Sequence, residues 1–496
     1  AVPRRRLAGL SGRRMRIFVV QRIVGAVIAL AGSINLVPLG LSWWYDDGIA
    51  AVFIESLMLC LVVGFLLWLP VRNRREELRL RDGFLVVTLI WFLVGAACAL
   101  PFMLGPTRLS YTDAYFEAVS GLTTTGATVL VGIERLPRSL LFYRQSLHFL
   151  GGMGIVILAV AILPMLRIGG SQLFRAESTG PIKDTRLTPR IAETAKALWL
   201  VYVGLNAACA LAYWIGGMNV FDAITHAFAT VATGGFGNYD ASFGQFDSPL
   251  LEAIAILFMS LGGINFAMHF LAWRRASANV YFLDSETRAY FAIIVAGSVV
   301  VALAVWAHGA HEGLAESLRH AAFHIVSNIT TTGFVTTGFA QWPGYAPLLL
   351  ILIGFIGGCS GSTSGGMKVV RVMLLFRQGL REIAQLVHPR GRFVVKLGGT
   401  TVSGAVLAAV TGFCTLYVAC FTVMTLALAA TGLDLLSAFS AVATCINNLG
   451  PGLGVVASTF RDVNDVGVWI CSFAMLLGRL EIFTVLVLFT AAFWRE

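Results

Sequence analysis

Ser120-Gly121-Leu122-Thr123-Thr124-Thr125-Gly126-Ala127-Thr128 decides how this chain is read, because it comes back. Further along stands Val326-Ser327-Asn328-Ile329-Thr330-Thr331-Thr332-Gly333-Phe334. Both copies fit the frame Phe-x-x-Val-Ser-x-x-Thr-Thr-Thr-Gly, with Phe116 and Phe323 in the lead. Weaker copies follow each of them, as Val231-Ala232-Thr233-Gly234-Gly235-Phe236 and Ile446-Asn447-Asn448-Leu449-Gly450-Pro451. With Gly126, Gly234, Gly333 and Gly450 taken as equivalent points, the repeat is roughly 100–120 residues long. Four such segments in one chain predict a four-fold arrangement about an axis.

Outward from these segments the chain is apolar. Of its 496 residues 57% are hydrophobic and 12% charged, against about 25% charged in soluble chains. The net charge of +10 does not mark a nucleic-acid binder, because Arg and Lys sit in short runs between apolar spans. The eight cysteines are scattered singly with no C-x-x-C pair, so neither a zinc site nor a disulfide framework is indicated. They read as small buried thiols. Arg4, Arg5, Arg6, Arg13, Arg14 and Arg16 resemble the basic start of a signal peptide. The apolar run at 17–41 that follows exceeds a signal core of ~7–15 residues, which predicts a retained membrane helix.

A crossing takes about 20 mainly apolar residues. The first two are expected at 17–41, with Trp43-Trp44-Tyr45 beyond it as an interfacial belt, and at 49–69, ending at Pro70 and the basic run 72–81. Residues 1–81 thus form a hairpin outside the repeats. The repeats are placed at 82–175, 176–286, 287–390 and 391–496. Their paired long spans are 84–104 and 140–163, 191–215 and 250–273, 289–307 and an interrupted 345–376, and 395–430 and 466–494. The expected fold is therefore all-α and integral to the membrane, with ten crossings and four segments of ~12 residues too short to cross, hence re-entrant. Basic residues collect at 4–22, 72–81, 167–196, Arg274, Arg275 and 371–396, leaving Arg108, Arg135, Arg138, Arg144, Arg319 and Arg461 on the other side. That bias places both termini in the cytoplasm and the Thr/Gly stretches outside.

A helix-start signal precedes each short segment: Ser110-x-x-Asp113, Asn219-x-x-Asp222, Thr431-x-x-Asp434 and a weaker Gly313-x-x-Glu316. Each segment is then a half-helix whose carboxyl end points at the bilayer midplane. One helix end carries about −0.5 elementary charge, so four present about −2, which attracts a monovalent cation. Dehydrating an ion costs ~20 kcal/mol in the idealised limit, so oxygen ligands must replace its water. Unwound backbone carbonyls do this in potassium filters, and such backbone survives at membrane depth only where it lines a cavity. The candidate ligands are Thr124, Thr125 and Gly126; Ala232, Thr233 and Gly234; Thr331, Thr332 and Gly333; and Asn448, Leu449 and Gly450. The bland alternative is polar turns or small-residue packing sites, which have no need of a capped half-helix.

On these motifs the chain resembles the Trk/Ktr/HKT superfamily of potassium transporters along nearly its whole length. The two leading spans, Arg175-Ala176-Glu177 and Leu187-Thr188-Pro189-Arg190-Ile191 are similar to its Trk branch. The resemblance implies four M1–P–M2 units and a homodimer in the bacterial inner membrane, each protomer with its own pore. It also implies a cytoplasmic ring of nucleotide-binding RCK subunits of the TrkA type. Glycine at the key filter position of all four repeats implies potassium preference, with K+ as the transported ion and no covalently bound cofactor. Asn447-Asn448-Leu449 departs from the threonine pattern.

The second span of repeat three is broken by Gly357-Gly358-Cys359-Ser360-Gly361-Ser362-Thr363-Ser364-Gly365-Gly366-Met367-Lys368. Met367 separates Gly366 from Lys368, which spoils a phosphate-binding Gly-Lys pattern. Glycine at this density disfavours helix by ~1 kcal/mol per residue, so a loop inside the membrane below the Thr/Gly stretches is expected. The resemblance implies that this loop obstructs the pore. Gly357, Gly358, Gly361, Ser362, Thr363, Ser364, Gly365, Gly366 and Lys368 are its candidate gating residues, together with Arg479. Arg479 lies near the middle of the last span, where an unpaired arginine costs at least ~2.5–3.5 kcal/mol. Glu481, two residues on, cannot face it on a helix. Arg479 is expected to donate to carbonyls of the loop; an acid on a neighbouring helix is the alternative. His148, His226, His320 and His324 tune conduction or simply pack. Asp113, Glu117, Asp222 and Asp434 concentrate cations at the mouth or cap helices. No catalytic constellation stands out, so the sequence reads as a non-enzymatic potassium uptake pore gated by the loop and regulated by cytoplasmic nucleotide-binding subunits. An H+- or Na+-coupled symporter on the same scaffold is the alternative.

Overall fold

Among the described residues six helices are long and apolar enough to cross a bilayer: Ile17–Tyr45, Ala50–Val71, Arg81–Leu104, Ala195–Ile215, Ser285–Ala307 and Gly404–Ala429. They belong to a computed structural model that describes residues 17–73, 80–157 and 191–495. Two further helix pairs qualify as bent spans. Pro249–Gly262 and Phe266–Arg275 meet at 98°, and Asp465–Arg479 and Phe483–Phe489 at 107°. The basic runs at 4–16, the motif around 175–190, the end of the span at 158–163 and part of the 72–81 run lie outside the described residues.

The leading hairpin folds by close contact of small residues. Gly25 and Gly64 face each other so tightly that a Cβ on Gly64 would come within 2.7 Å of the Gly25 carbonyl oxygen. Backbone approach of this kind replaces the hydrophobic drive that lipid removes. The outward side of the second helix keeps Met58, Leu61, Val62, Phe65 and Leu66 exposed, a surface suited to acyl chains. The first helix runs further than its sequence pattern implied. Trp43, Trp44 and Tyr45 form its last turn instead of following it, because a 3-10 turn at Ser33–Asn35 lets the helix continue.

Beyond the hairpin, one order of elements recurs four times: a long helix, a short helix, a Thr/Gly stretch and a second helix. The short helices are Tyr111–Leu122, Val220–Val231, Leu314–Ile329 and Leu435–Ile446. Three start on a side-chain cap: Ser110 Oγ accepts from Asp113 N–H at 3.1 Å, Asn219 Oδ1 from Asp222 N–H at 2.9 Å and Asp434 Oδ2 from Ser437 N–H at 3.1 Å. Gly313 supplies no side-chain cap to the other. Asp434 is thus itself the cap, a correction to Thr431-x-x-Asp434. The Thr431 hydroxyl instead closes the preceding helix by donating to Leu428 O at 2.7 Å. Thr and Asp are both good caps, and only tertiary position chooses between them.

The second helices depart from expectation. A break was expected in repeat three alone, between Ala346–Ile356 and Val369–Val387. Repeats two and four break as well, after Gly262 and after Arg479. Continuous hydrophobicity masked both, since apolar character fixes burial and leaves chain direction open. The fold is not purely α either. Lys396–Leu397 pairs antiparallel with Thr400–Thr401, so the last long helix starts at Gly404 rather than near 395.

Candidate functional site

The four Thr/Gly stretches have one backbone. In each, three successive N–H groups fold back on the end of the short helix: Thr123, Thr124 and Thr125 onto Val119, Gly121 and Ser120. Ala232, Thr233 and Gly234 repeat this on Phe228, Thr230 and Ala229; Thr330, Thr331 and Thr332 on Val326, Asn328 and Ser327; Asn447, Asn448 and Leu449 on Ala443, Cys445 and Thr444. The middle residue is left-handed every time, with φ of 50°, 53°, 53° and 55° at Thr124, Thr233, Thr331 and Asn448. Non-glycine residues resist that conformation by roughly 1–2 kcal/mol. Two residues on, glycine takes positive φ: 81° at Gly126, 81° at Gly235, 80° at Gly333 and 97° at Gly450.

This register corrects the second repeat. Gly235, not Gly234, matches Gly126, Gly333 and Gly450. Gly234 falls level with Thr125, Thr332 and Leu449, and Ala232 is the helix cap level with Thr123, Thr330 and Asn447. Two adjacent glycines made the choice ambiguous. The phenylalanine after each, in Gly235-Phe236 and Gly333-Phe334, was the signal that resolves it.

The stretches close into a ring. A Cβ on Gly126 would strike the carbonyl oxygen of Gly234, one on Gly235 that of Thr332, one on Gly333 that of Leu449 and one on Gly450 that of Thr125. Each stretch therefore lays its glycine against the carbonyl of the next, and the fourth returns to the first. Above the ring lies a cavity of about 520 Å³ whose wall includes Gly126, Gly235, Gly333 and Gly450. Four helix ends and a circle of backbone oxygens meeting at one axis can hold a dehydrated cation.

A buried polar network fixes the first two stretches around the cavity. Glu117 is fully buried and pairs with Arg144 at 2.6 Å. Its carboxylate also accepts from the Thr128 hydroxyl at 2.9 Å and the Val129 N–H at 3.1 Å. Arg144 donates to Gly237 O at 2.8 Å and lies 3.5 Å over the Phe236 ring. His148, one turn along, bonds Gly121 O at 2.8 Å through Nδ1 and accepts the Phe236 N–H at 3.1 Å on Nε2. Glu117 is thus a strut and not a cation collector at the mouth. The signal available was an acid inside an apolar half-helix and Arg144-x-x-x-His148 on one helix face, both of which require buried partners. The Asp222 carboxylate likewise accepts from Asn238 at 2.8 Å and Tyr239 at 2.8 Å, while its N–H donates to the Asn219 cap. His226 bonds Asp222 O at 2.9 Å, and His324 bonds His320 O at 2.8 Å, both within their own helices.

Below the ring stands the loop between Ile356 and Val369. Gly357, Gly361 and Gly366 have φ of 74°, 72° and 72°, and Lys368 has 80°, so the chain here cannot be helical. Its tip reaches the left-handed residues of the ring. Thr363 Oγ1 accepts from the Thr233 hydroxyl at 3.2 Å, and Gly365 N–H donates to Thr331 Oγ1 at 2.6 Å. Gly365 also abuts the Asn447 carbonyl so closely that a Cβ would collide with it. Arg479 completes the contact: Nη1 donates to Thr363 O at 3.0 Å and Nη2 to Thr124 Oγ1 at 2.6 Å. It therefore meets one loop carbonyl, as expected, and a ring hydroxyl that was not. Among the described residues no carboxylate pairs with it. Arg479 also sits at the end of its helix, directly before the bend, not in mid-span. Glu481 turns away to Arg371 at 2.7 Å.

The loop is anchored from behind. Glu286 Oε1 accepts from Ser360 N–H at 2.8 Å and Val370 N–H at 3.1 Å, bridging the two ends of the break. The Lys368 ammonium donates to Ser364 O, and the Ser362 hydroxyl to Cys359 O at 2.6 Å. Sequence reading missed Glu286; an acid one residue inside a membrane helix was the available sign.

The sequence profile of the TrkH family, described as a cation transport protein, matches residues 49–496. The chain belongs to the TrkH family. It is 50% identical to the Trk system potassium uptake protein TrkH of Vibrio parahaemolyticus over 478 residues, covering 96% of this chain and 99% of that protein. Identity to TrkG of Escherichia coli K12, also named a Trk system potassium uptake protein, is 38% over 479 residues, with 96% and 99% covered. The crystal structure of the potassium transporter TrkH from Vibrio parahaemolyticus superposes with a TM-score of 0.90 at 47% identity, covering 97% of this chain and all of that one. The TrkH-family assignment and the helices long enough to cross make this a multi-pass membrane transport protein.

Proposed function

We propose that this chain takes up potassium across the bacterial inner membrane through the ring, used as a selectivity filter of backbone carbonyls. The reading rests on one observation, the closed circle in which each filter glycine backs onto the next stretch's carbonyl. Thr124, Thr125 and Gly126, Thr233, Gly234 and Gly235, Thr331, Thr332 and Gly333, and Asn448, Leu449 and Gly450 supply the oxygens. Potassium is the ion because the TrkH-family relatives are named for its uptake and because glycine stands in all four repeats. Residues 357–368 with Arg479 are the gate: the loop tip and the guanidinium together reach all four stretches and close the path beneath them.

The surrounding architecture is four M1–P–M2 repeats plus the hairpin, with ten crossings and both termini cytoplasmic. The basic inner loops dock a TrkA-type nucleotide-binding ring, and the unit is a homodimer in which each protomer keeps its own pore. The deciding experiment measures potassium flux into proteoliposomes with and without proton or sodium gradients, for the wild type and Gly126→Ser. Flux indifferent to the second ion, with Gly126→Ser admitting sodium, is the expected result. Strict dependence on a second ion would establish symport, and unaltered selectivity in Gly126→Ser would remove the filter assignment.

A further inference from the structure

Away from the ring and the gate, one cluster of side chains has no assigned role. His311 lies on the turn before the third short helix, Glu316 in its first turn and His320 one turn later. Their ligand atoms all lie within 4.8 Å of one another, and among the described residues this is the one such group of metal-ligating side chains. His311 Nδ1 is 3.7 Å from Glu316 Oε1. The His311 and His320 rings stack at 4.8 Å, and Trp342 closes the side edge-on to His311 at 6.0 Å.

We propose that His311, Glu316 and His320 bind a divalent transition ion of the zinc class, on the face from which the short helices start. Two imidazoles and a carboxylate are a three-ligand set typical of zinc, leaving a fourth position for water. Glu316-x-x-x-His320 puts two ligands on one helix face. Two further observations point to a ligand. His311 Nε2 is buried and has no hydrogen-bond partner, an arrangement that calls for an explanation. His320 uses its Nδ1 on the Thr336 hydroxyl at 3.1 Å, which fixes the ring and frees Nε2, as outer partners do for metal-bound histidines. Tetrahedral ligands at ordinary zinc distances stand about 3.4 Å apart, so the cluster must contract by roughly an ångström. The Glu316 side chain, 46% exposed, has the room to make that movement.

The ion would not be isolated from transport. Thr336 follows the third Thr/Gly stretch and lines the cavity above the ring. Fixing His320 fixes Thr336, so occupancy slows ion entry at the mouth; this second step rests on the proposed transport function, the metal site does not.

The test is titration of the untagged full chain in detergent with cobalt(II), read by the visible absorption of the coordinated ion, with zinc as competitor. One site per chain is expected, weakened at least ~100-fold in His311→Ala and His320→Ala and about tenfold in Thr336→Val. Equal binding by the wild type and both histidine variants overturns the site. His311→Ala, on a turn, keeps the test decisive should His320→Ala fail to fold. In proteoliposomes, outside zinc should slow potassium flux of the wild type and leave that of His311→Ala unchanged. Metal binding without slowing removes the coupling through Thr336. Lack of flux before zinc is added counts against the transport function, while the cobalt titration still decides the site.

Discussion

The ring and the layer beneath it are built on opposite plans. In the ring, sequences as different as Thr-Thr-Thr-Gly, Ala-Thr-Gly-Gly and Asn-Asn-Leu-Gly adopt one set of dihedral angles and hydrogen bonds. In the layer beneath, the second helices diverge: one carries a twelve-residue loop at 357–368, two bend near 98° and 107°, and one loop tip and one guanidinium meet the ring. The contrast has a physical basis. A spherical ion at the axis needs equivalent oxygens on all sides, which constrains backbone and leaves side chains free. On the proposed function the layer beneath is a stopper, which needs a single element, and four equal copies would only crowd one another.

That contrast gives its own tests, beginning with the ring. Gly333→Ala and Gly235→Ala combine positive φ with a collision against a neighbouring carbonyl, and potassium flux should fall to background in both. Gly234→Ala has no positive φ and first meets a side chain, the His148 ring, so it should retain more flux than Gly235→Ala; the reverse order would return the register to Gly234. Next is the layer beneath. Arg479→Ala removes the contacts to Thr363 and Thr124, and basal flux should rise; unchanged or lower flux in folded protein would falsify its part in closure. Glu286→Gln weakens the anchor of the loop without touching the ring. It should raise basal flux less than Arg479→Ala, with ion selectivity intact. Arg144→Ala leaves Glu117 buried and uncompensated, which costs about 3–5 kcal/mol and should appear as lower thermal stability. Smallest of all, Ser110→Ala should cost ~1 kcal/mol in the same measurement, while flux persists.

Much of the site was legible because its constraints are local. Capped half-helices, a glycine where φ must be positive, and a glycine-dense interruption each follow from a few adjacent residues. The misreadings fell where two local solutions were equally good. Gly234 and Gly235 both permit the turn, and Thr431 and Asp434 both cap. Glu117 illustrates a different failure. Its carboxylate is consumed by Arg144 from another helix, a partner twenty-seven positions away.

By itself the sequence determined the class of the molecule: membrane helices, four short helices each running into a Thr/Gly stretch, and backbone unwound at glycines. These depend on hydrophobicity and φ preference, which each short stretch carries with it. Only the tertiary structure decided which glycine faces which carbonyl, that Arg479 spans the 357–368 loop and the ring, and that apolar runs after Gly262 and Arg479 turn aside. Such choices depend on which distant groups arrive within 3 Å of one another, and hydrophobic patterning carries no information about direction once a residue is buried.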